Sequence, residues 1–245
     1  MTLLQARTTK VVLSKALFLS GVLSLVPCGF AADITLGNPS FQIPPVVGIH
    51  DPCEGTGCFF SAARIPDWAN NPATSGQLIP SVSGAGRILD SFAPDDGNTS
   101  AFTNGSTISQ LVRPTVQEDV RYTLTVEIGH RNDGVLAGTA DLLVSGRHSM
   151  ETVDATGTDP GPGHWGTFTA SFVGNSTNVG DDITIQLNRN AGACVAGVAG
   201  CQGNFDSVRL TATPVTAAAP EPATLGLMVL GLLAGIGFAG RKRRN

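Results

Sequence analysis

The 245 residues carry 19 acidic and 15 basic side chains, and the two signs are unevenly placed. Seven of the basic residues sit at the chain ends, and residues 16–240 hold eight arginines, no lysine and a net charge of −11. So acidic a middle excludes nucleic acid as a partner, because binding it requires neutralised phosphates, and the length left between the ends suits one β-rich domain.

The N-terminus reads as a secretion signal. Arg7, Lys10 and Lys15 are its only charges before Asp33, and an apolar run follows over residues 16–26. A basic flank, an apolar stretch and small residues at the cut define an export signal, here residues 1–31 with cleavage after Ala31. Pro27 directly before Cys28 fits a lipid-attachment signal poorly.

Residues 32–213 form the domain. Its cysteines fall into two local pairs, Cys53/Cys58 and Cys194/Cys201. They close two short disulfide loops or combine into a four-thiolate zinc site, and an exported chain favours disulfides. Further along, Tyr122, Leu124, Val126 and Ile128 share one face of an alternating segment. Ala140, Leu142 and Val144 alternate too, as do Phe168, Ala170 and Phe172; Ile183, Ile185 and Leu187; and Val208, Leu210 and Ala212. Period-2 alternation means strands with one buried face. Turn residues separate them at Asp95-Asp96-Gly97, Asn104-Gly105, Asn132-Asp133-Gly134 and Gly161-Pro162-Gly163. The expected fold is all-β, a single jelly-roll β-sandwich.

Short motifs within the domain point the same way. Asn38-Pro39-Ser40-Phe41 opens it, Ile65-Pro66-Asp67-Trp68 follows, and Asn204-Phe205-Asp206-Ser207-Val208-Arg209-Leu210 closes it. This set resembles galactose-binding-domain-like jelly rolls, with Ser207 where the pattern more often has Asn. The resemblance implies a fold shared by many carbohydrate-binding modules and does not by itself imply a sugar ligand.

Catalytic signatures are absent from the sequence: there is no H-E-x-x-H, G-x-S-x-G or phosphate-binding glycine loop. The acidic doublets Asp95-Asp96 and Asp181-Asp182 do not form a glycosidase pair, because adjacent strand residues point to opposite faces. Asp95, Asp96 and Asn98 are weak ligand candidates for a structural calcium ion; no other cofactor is expected. Trp68 and Trp165 are the two residues nominated as aromatic platforms for a sugar ring.

A flexible linker, residues 214–219, leads to Pro220-Glu221-Pro222. An uncharged apolar run then covers residues 223–240, followed by Arg241, Lys242, Arg243 and Arg244. Eighteen residues at about 1.5 Å each span roughly 27 Å, enough for a hydrocarbon core. The basic tail stays cytoplasmic, so the domain is translocated. Over residues 220–245 the chain resembles the PEP-CTERM sorting signal of Gram-negative bacteria. That resemblance implies an exosortase-type membrane protease as partner, recognition at Pro220, Glu221 and Pro222, a transient stay in the inner membrane, and a final place at the cell surface or in the exopolysaccharide matrix of a biofilm. The functional expectation is a non-enzymatic structural or adhesive surface component. The alternatives are a carbohydrate-binding module for exopolysaccharide and a secreted hydrolase with an unrecognised site.

Overall fold

The computed structural model describes residues 31–53, 57–93, 97–147, 150–194 and 201–215. The export signal, the linker beyond Val215, the Pro-Glu-Pro motif, the apolar run and the basic tail lie outside the described residues. Among those described, no helix is long and apolar enough to cross a membrane.

Twelve strands run in chain order: β1 Ala32–Ile34, β2 Asp51–Pro52, β3 Phe59–Ser61, β4 Ser75–Ile79, β5 Ser100–Thr103, β6 Ile108–Val112, β7 Val120–Gly129, β8 Gly138–Ser145, β9 Met150–Asp154, β10 Trp165–Val173, β11 Asp182–Arg189 and β12 Gly203–Pro214. They form two antiparallel sheets. The larger follows the order β10-β7-β12-β5-β4-β3-β2, with β1 also paired to β12. The smaller follows β6-β11-β8-β9. This is the jelly-roll sandwich expected from the alternation.

Each alternating face lands in the core between the sheets. Leu124, Val126 and Ile128 of β7, Leu142 and Val144 of β8, Phe168 of β10, Ile183 and Ile185 of β11, and Phe205 and Leu210 of β12 are all buried there. The opening, middle and closing motifs meet in one packing unit. The Phe41 and Trp68 rings lie 5.3 Å apart between centroids. Trp68 Nε1–H donates to the Asn38 carbonyl at 3.1 Å. The Val208 amide donates to the Pro39 carbonyl at 3.0 Å. Asn38 and Phe41 both take positive φ, 43° and 57°, to make this turn.

Both cysteine pairs are closed locally as disulfides, Cys53–Cys58 and Cys194–Cys201, with Cα separations of 5.2 and 5.6 Å. The thiols are thereby consumed, and the zinc alternative falls.

On the solvent face of the smaller sheet, Asp141 stands directly opposite Asp154. Burial, then the charge of Asp154, push the Asp141 pKa up, while Asn188 Nδ2 opposes this by donating at 2.7 Å. A raised carboxyl means the folded state holds more proton than the unfolded state, so this pair costs stability as pH rises through the carboxylate range. Asp154→Asn removes the repulsion. It is expected to stabilise the fold at neutral pH by about 0.5–1 kcal/mol, a gain that fades toward about pH 4. Urea unfolding of both forms across that pH range measures it.

Candidate functional site

The loops at one end of the sandwich are cross-braced by backbone hydrogen bonds. At the end of β7, the His130 amide donates to the His164 carbonyl at 2.9 Å, and the Gly163 amide returns a bond to the His130 carbonyl at 2.7 Å. Asp90 N–H bonds the Gly163 carbonyl at 2.7 Å and Asn132 N–H bonds the Ile88 carbonyl at 2.8 Å. Gly161 and Gly163 supply φ values of 82° and 83°, which let the 159–164 loop fold back. Side chains reinforce the frame. Asp90 accepts from Asn132 Nδ2 at 2.9 Å and from Arg87 Nε at 2.5 Å, and these bonds hold its pKa below the usual carboxylate range. His130 Nδ1 and Asp159 Oδ1 are 2.7 Å apart, which lowers the Asp159 pKa likewise.

This frame fixes a polar chain beside an apolar wall. Arg131 grips Asp133 with two parallel bonds, Nε to Oδ1 and Nη2 to Oδ2, both 2.8 Å. Its remaining terminal nitrogen, Nη1, donates to Gln202 Oε1 at 2.8 Å. Gln202 Nε2 in turn donates to Asn104 Oδ1 at 3.1 Å. Asn204 Nδ2 donates to the Gln202 backbone carbonyl at 3.2 Å and sets that residue's position. The four side chains come from three separate turns, yet each long group is held by both neighbours.

Phe60, Leu78 and Phe102 stand next to this chain on the face of the larger sheet that points away from the smaller one. The register pairs Phe60 with Leu78 and Gly76 with Phe102 across adjacent strands. The Phe60 and Phe102 rings meet edge to face, 6.1 Å between centroids. Together with the Cys53–Cys58 disulfide, these groups line a cleft of about 360 Å³. That volume is within the range of small-ligand sites, roughly 300–1,000 Å³.

The electrostatics of the cleft are set by the Arg131–Asp133 pair. Hydrogen bonds from Arg131 hold the Asp133 carboxyl below its ordinary pKa. Asp133 therefore stays ionised through the neutral and mildly acid range and is a poor proton donor there. It is the one carboxylate among the described residues that line the cleft.

The residues nominated from sequence are dispersed. Trp68 is 4% exposed and locked against Phe41 in the core, so it offers no platform to a ligand. The P-x-W pattern marked a packing unit. Trp165 lies on the cleft side of the larger sheet, half-buried over Gly129. A Cβ at Gly129 would come within 3.2 Å of its ring, so the glycine is what lets the indole lie flat. Trp165 Nε1–H donates to the Ser91 carbonyl at 3.1 Å. Asn204 lies between Gly129 and Phe102 in the register, which puts Trp165 three strands, or roughly 14 Å, from the cleft wall. Asn98 is exposed; Asp95 and Asp96 lie outside the described residues. Arg131, Asp133, Gln202, Asn104, Phe60 and Phe102 were not nominated. The one signal they gave was the Asn132-Asp133-Gly134 turn following a strand.

The architecture defines an exported-type β-sandwich with a small amphipathic cleft at one end. Its lineage follows from comparison. The chain belongs to the HpiC1-like family, whose HpiC1 cyclase model matches residues 32–211, and the PEP-CTERM protein-sorting motif matches residues 218–244. Solved relatives share the fold. The Stig cyclase Fisc from Fischerella sp. TAU, solved with (3Z)-3-(1-methyl-2-pyrrolidinylidene)-3H-indole, is 18% identical with a TM-score of 0.54 over 76% of this chain and 100% of its own. A cyclase from Fischerella sp. TAU bound to 4-(1H-indol-3-yl)butan-2-one is 18% identical with a TM-score of 0.51, again over 76% and 100%. The CBM22-2 xylan-binding domain of Paenibacillus barcinonensis Xyn10C is 16% identical, with a TM-score of 0.42 over 61% of this chain and 94% of its own. No curated protein matches the chain in sequence. The sorting motif means export and surface sorting through an exosortase. The family is named for a cyclase, a signal that the search for catalytic motifs did not carry.

Arg131→Ala frees Asp133 from its partner. A depressed carboxyl contributes stability that is present above its unfolded pKa and is lost as pH falls through the folded value. The variant is therefore expected to unfold at a higher pH than the parent on acid titration, which circular dichroism reads directly.

Proposed function

We propose that this protein is a surface-sorted, non-catalytic binding protein whose cleft holds a neutral sugar unit of an exopolysaccharide, linking the protein to a biofilm matrix. The observation that carries the reading is the Asp133–Arg131–Gln202–Asn104 chain laid along the Phe60–Phe102 wall. A pyranose has an apolar face and an equatorial belt of hydroxyls, and the cleft offers a matching wall and rim. Every donor group of Arg131 is directed at a protein acceptor, so the site presents no uncommitted cation to an anion. The ionised Asp133 accepts from hydroxyls and repels a uronate. The overall acidity of the domain acts in the same direction. A hydrolase would need a second carboxylate across the cleft, and Asp133 is held in the wrong protonation state for a general acid.

A glycan array with the full chain is expected to show retention on neutral oligosaccharides. Arg131→Ala and Phe60→Ala are each expected to weaken this by roughly tenfold. An array that stays silent, or binding unchanged in both variants, contradicts the reading.

A second reading, a cyclase, is favoured by the family and by Asp206. This carboxylate is 2% exposed and lies on the same face of the larger sheet as the cleft, opposite Glu127. A buried carboxylate is the kind of group that serves as a general acid. Indole compounds of the type bound by the solved cyclases are the substrates to try. Turnover abolished by Asp206→Asn would establish this reading over the first, and no turnover by the parent chain would remove it.

A further inference from the structure

Exposed apolar side chains collect at the end of the sandwich opposite the cleft. Met150 opens β9, across from Ser145 in the register, and is 81% exposed. Val173 closes β10 at 37%, Val179 stands in the following loop at 51%, and Val215 directly follows β12 at 43%. Backbone bonds tie these segments together. Val215 N–H donates to the Asp119 carbonyl at 2.6 Å, Gly174 N–H to Val120 at 2.9 Å, and Gly180 N–H to Val116 at 2.8 Å. Asp182, at the start of β11, pairs with Ser145. Four apolar groups from four segments of both sheets therefore share one end.

The same end carries Arg113, Arg121 and Arg147. Among the described residues none of the three enters an ion pair. Glu118, Asp119 and Glu151 stand beside them, so the charge there is mixed. The opposite end differs: its arginines Arg87 and Arg131 are both bound to aspartates.

This is also the end from which the chain departs toward its sorting segment. From Val215 to Ala223, where the apolar run begins, is at most roughly 28 Å of extended chain. A single exposed valine needs no explanation, whereas a cluster of apolar groups and unpaired arginines at the tethered end does. We propose that this end docks on the periplasmic leaflet of the membrane that holds residues 223–240. Met150, Val173, Val179 and Val215 enter the interface, and Arg113, Arg121 and Arg147 meet lipid phosphates. Tethering supplies a high local concentration, so weak contacts suffice. Docking points the cleft outward, and cutting near Pro220-Glu221-Pro222 leaves contacts too weak to retain the domain. The inference rests on the sorting motif and is independent of what the cleft binds.

The test uses the full chain reconstituted in phosphatidylethanolamine/phosphatidylglycerol vesicles containing brominated lipid. An environment-sensitive fluorophore is placed in turn at Met150→Cys, Val179→Cys and, at the cleft end, Ala191→Cys. Quenching at 150 and 179 is expected to exceed that at 191 by at least roughly threefold. Val179→Asp with Val215→Asp is expected to lower quenching at 150 while leaving thermal unfolding unchanged, because both positions are exposed. Equal quenching at all three sites overturns the proposal. So does concentration-dependent protection of 150 and 179 in lipid-free detergent, which would make this face a contact with a second copy.

Discussion

Strand β12 is hydrogen-bonded to β7 along most of its length and to β5 and then β1 on its other edge, and a single left-handed residue in it sets the faces of the whole sheet. Ser207 takes a φ of 49° and shifts the register between Asp206 and Arg209. Before it, Phe205 points into the core; after it, Val208 and Leu210 do. An uninterrupted strand would place Phe205 and Leu210 on opposite faces. The bulge lets both be buried and releases the Val208 amide from the ladder. That amide finds the Pro39 carbonyl and so fastens the opening turn, with Phe41 and Trp68, to the closing strand.

The same bulge decides what β12 offers to the ligand side. Asn204 and Asp206 point away from the core at its first half, and Asn204 holds Gln202 in place. Gln202 is the link between Arg131 and Asn104. The cleft is thus an outgrowth of the strand that organises the fold: a rigid sheet supplies Phe60, Leu78 and Phe102, and braced turns supply the polar rim. A frame of this kind keeps a binding site ready without rearrangement, which lowers the ordering cost of a ligand.

Legibility in the sequence followed strand length. β7, β8, β10 and β11 are eight to ten residues long, and their alternation was readable directly. β2 and β3 are two and three residues long, too short to show a period. The bulge left a trace, since Phe205, Val208 and Leu210 break period 2, but that spacing also fits a turn. Local disulfides were readable because each pair closes within a few residues. The cleft was not readable: its residues come from separated segments, and Arg131 and Asp133 face each other through a turn geometry that spacing does not encode. Trp68 was misjudged as a platform because an indole suits a core and a sugar site equally well until its burial is known. The cyclase lineage left no motif of the usual catalytic kinds.

The central claim is that the Arg131-centred cleft is where this protein meets its ligand. The direct measurement is a side-chain ¹⁵N spectrum of the full chain in micelles, titrated with neutral oligosaccharides and then with uronate-containing ones. The account predicts that neutral sugars shift the Arg131 Nε, Asn104 and Gln202 side-chain signals together, and that uronates leave them in place. Saturable sugar binding that moves none of these three signals would contradict it.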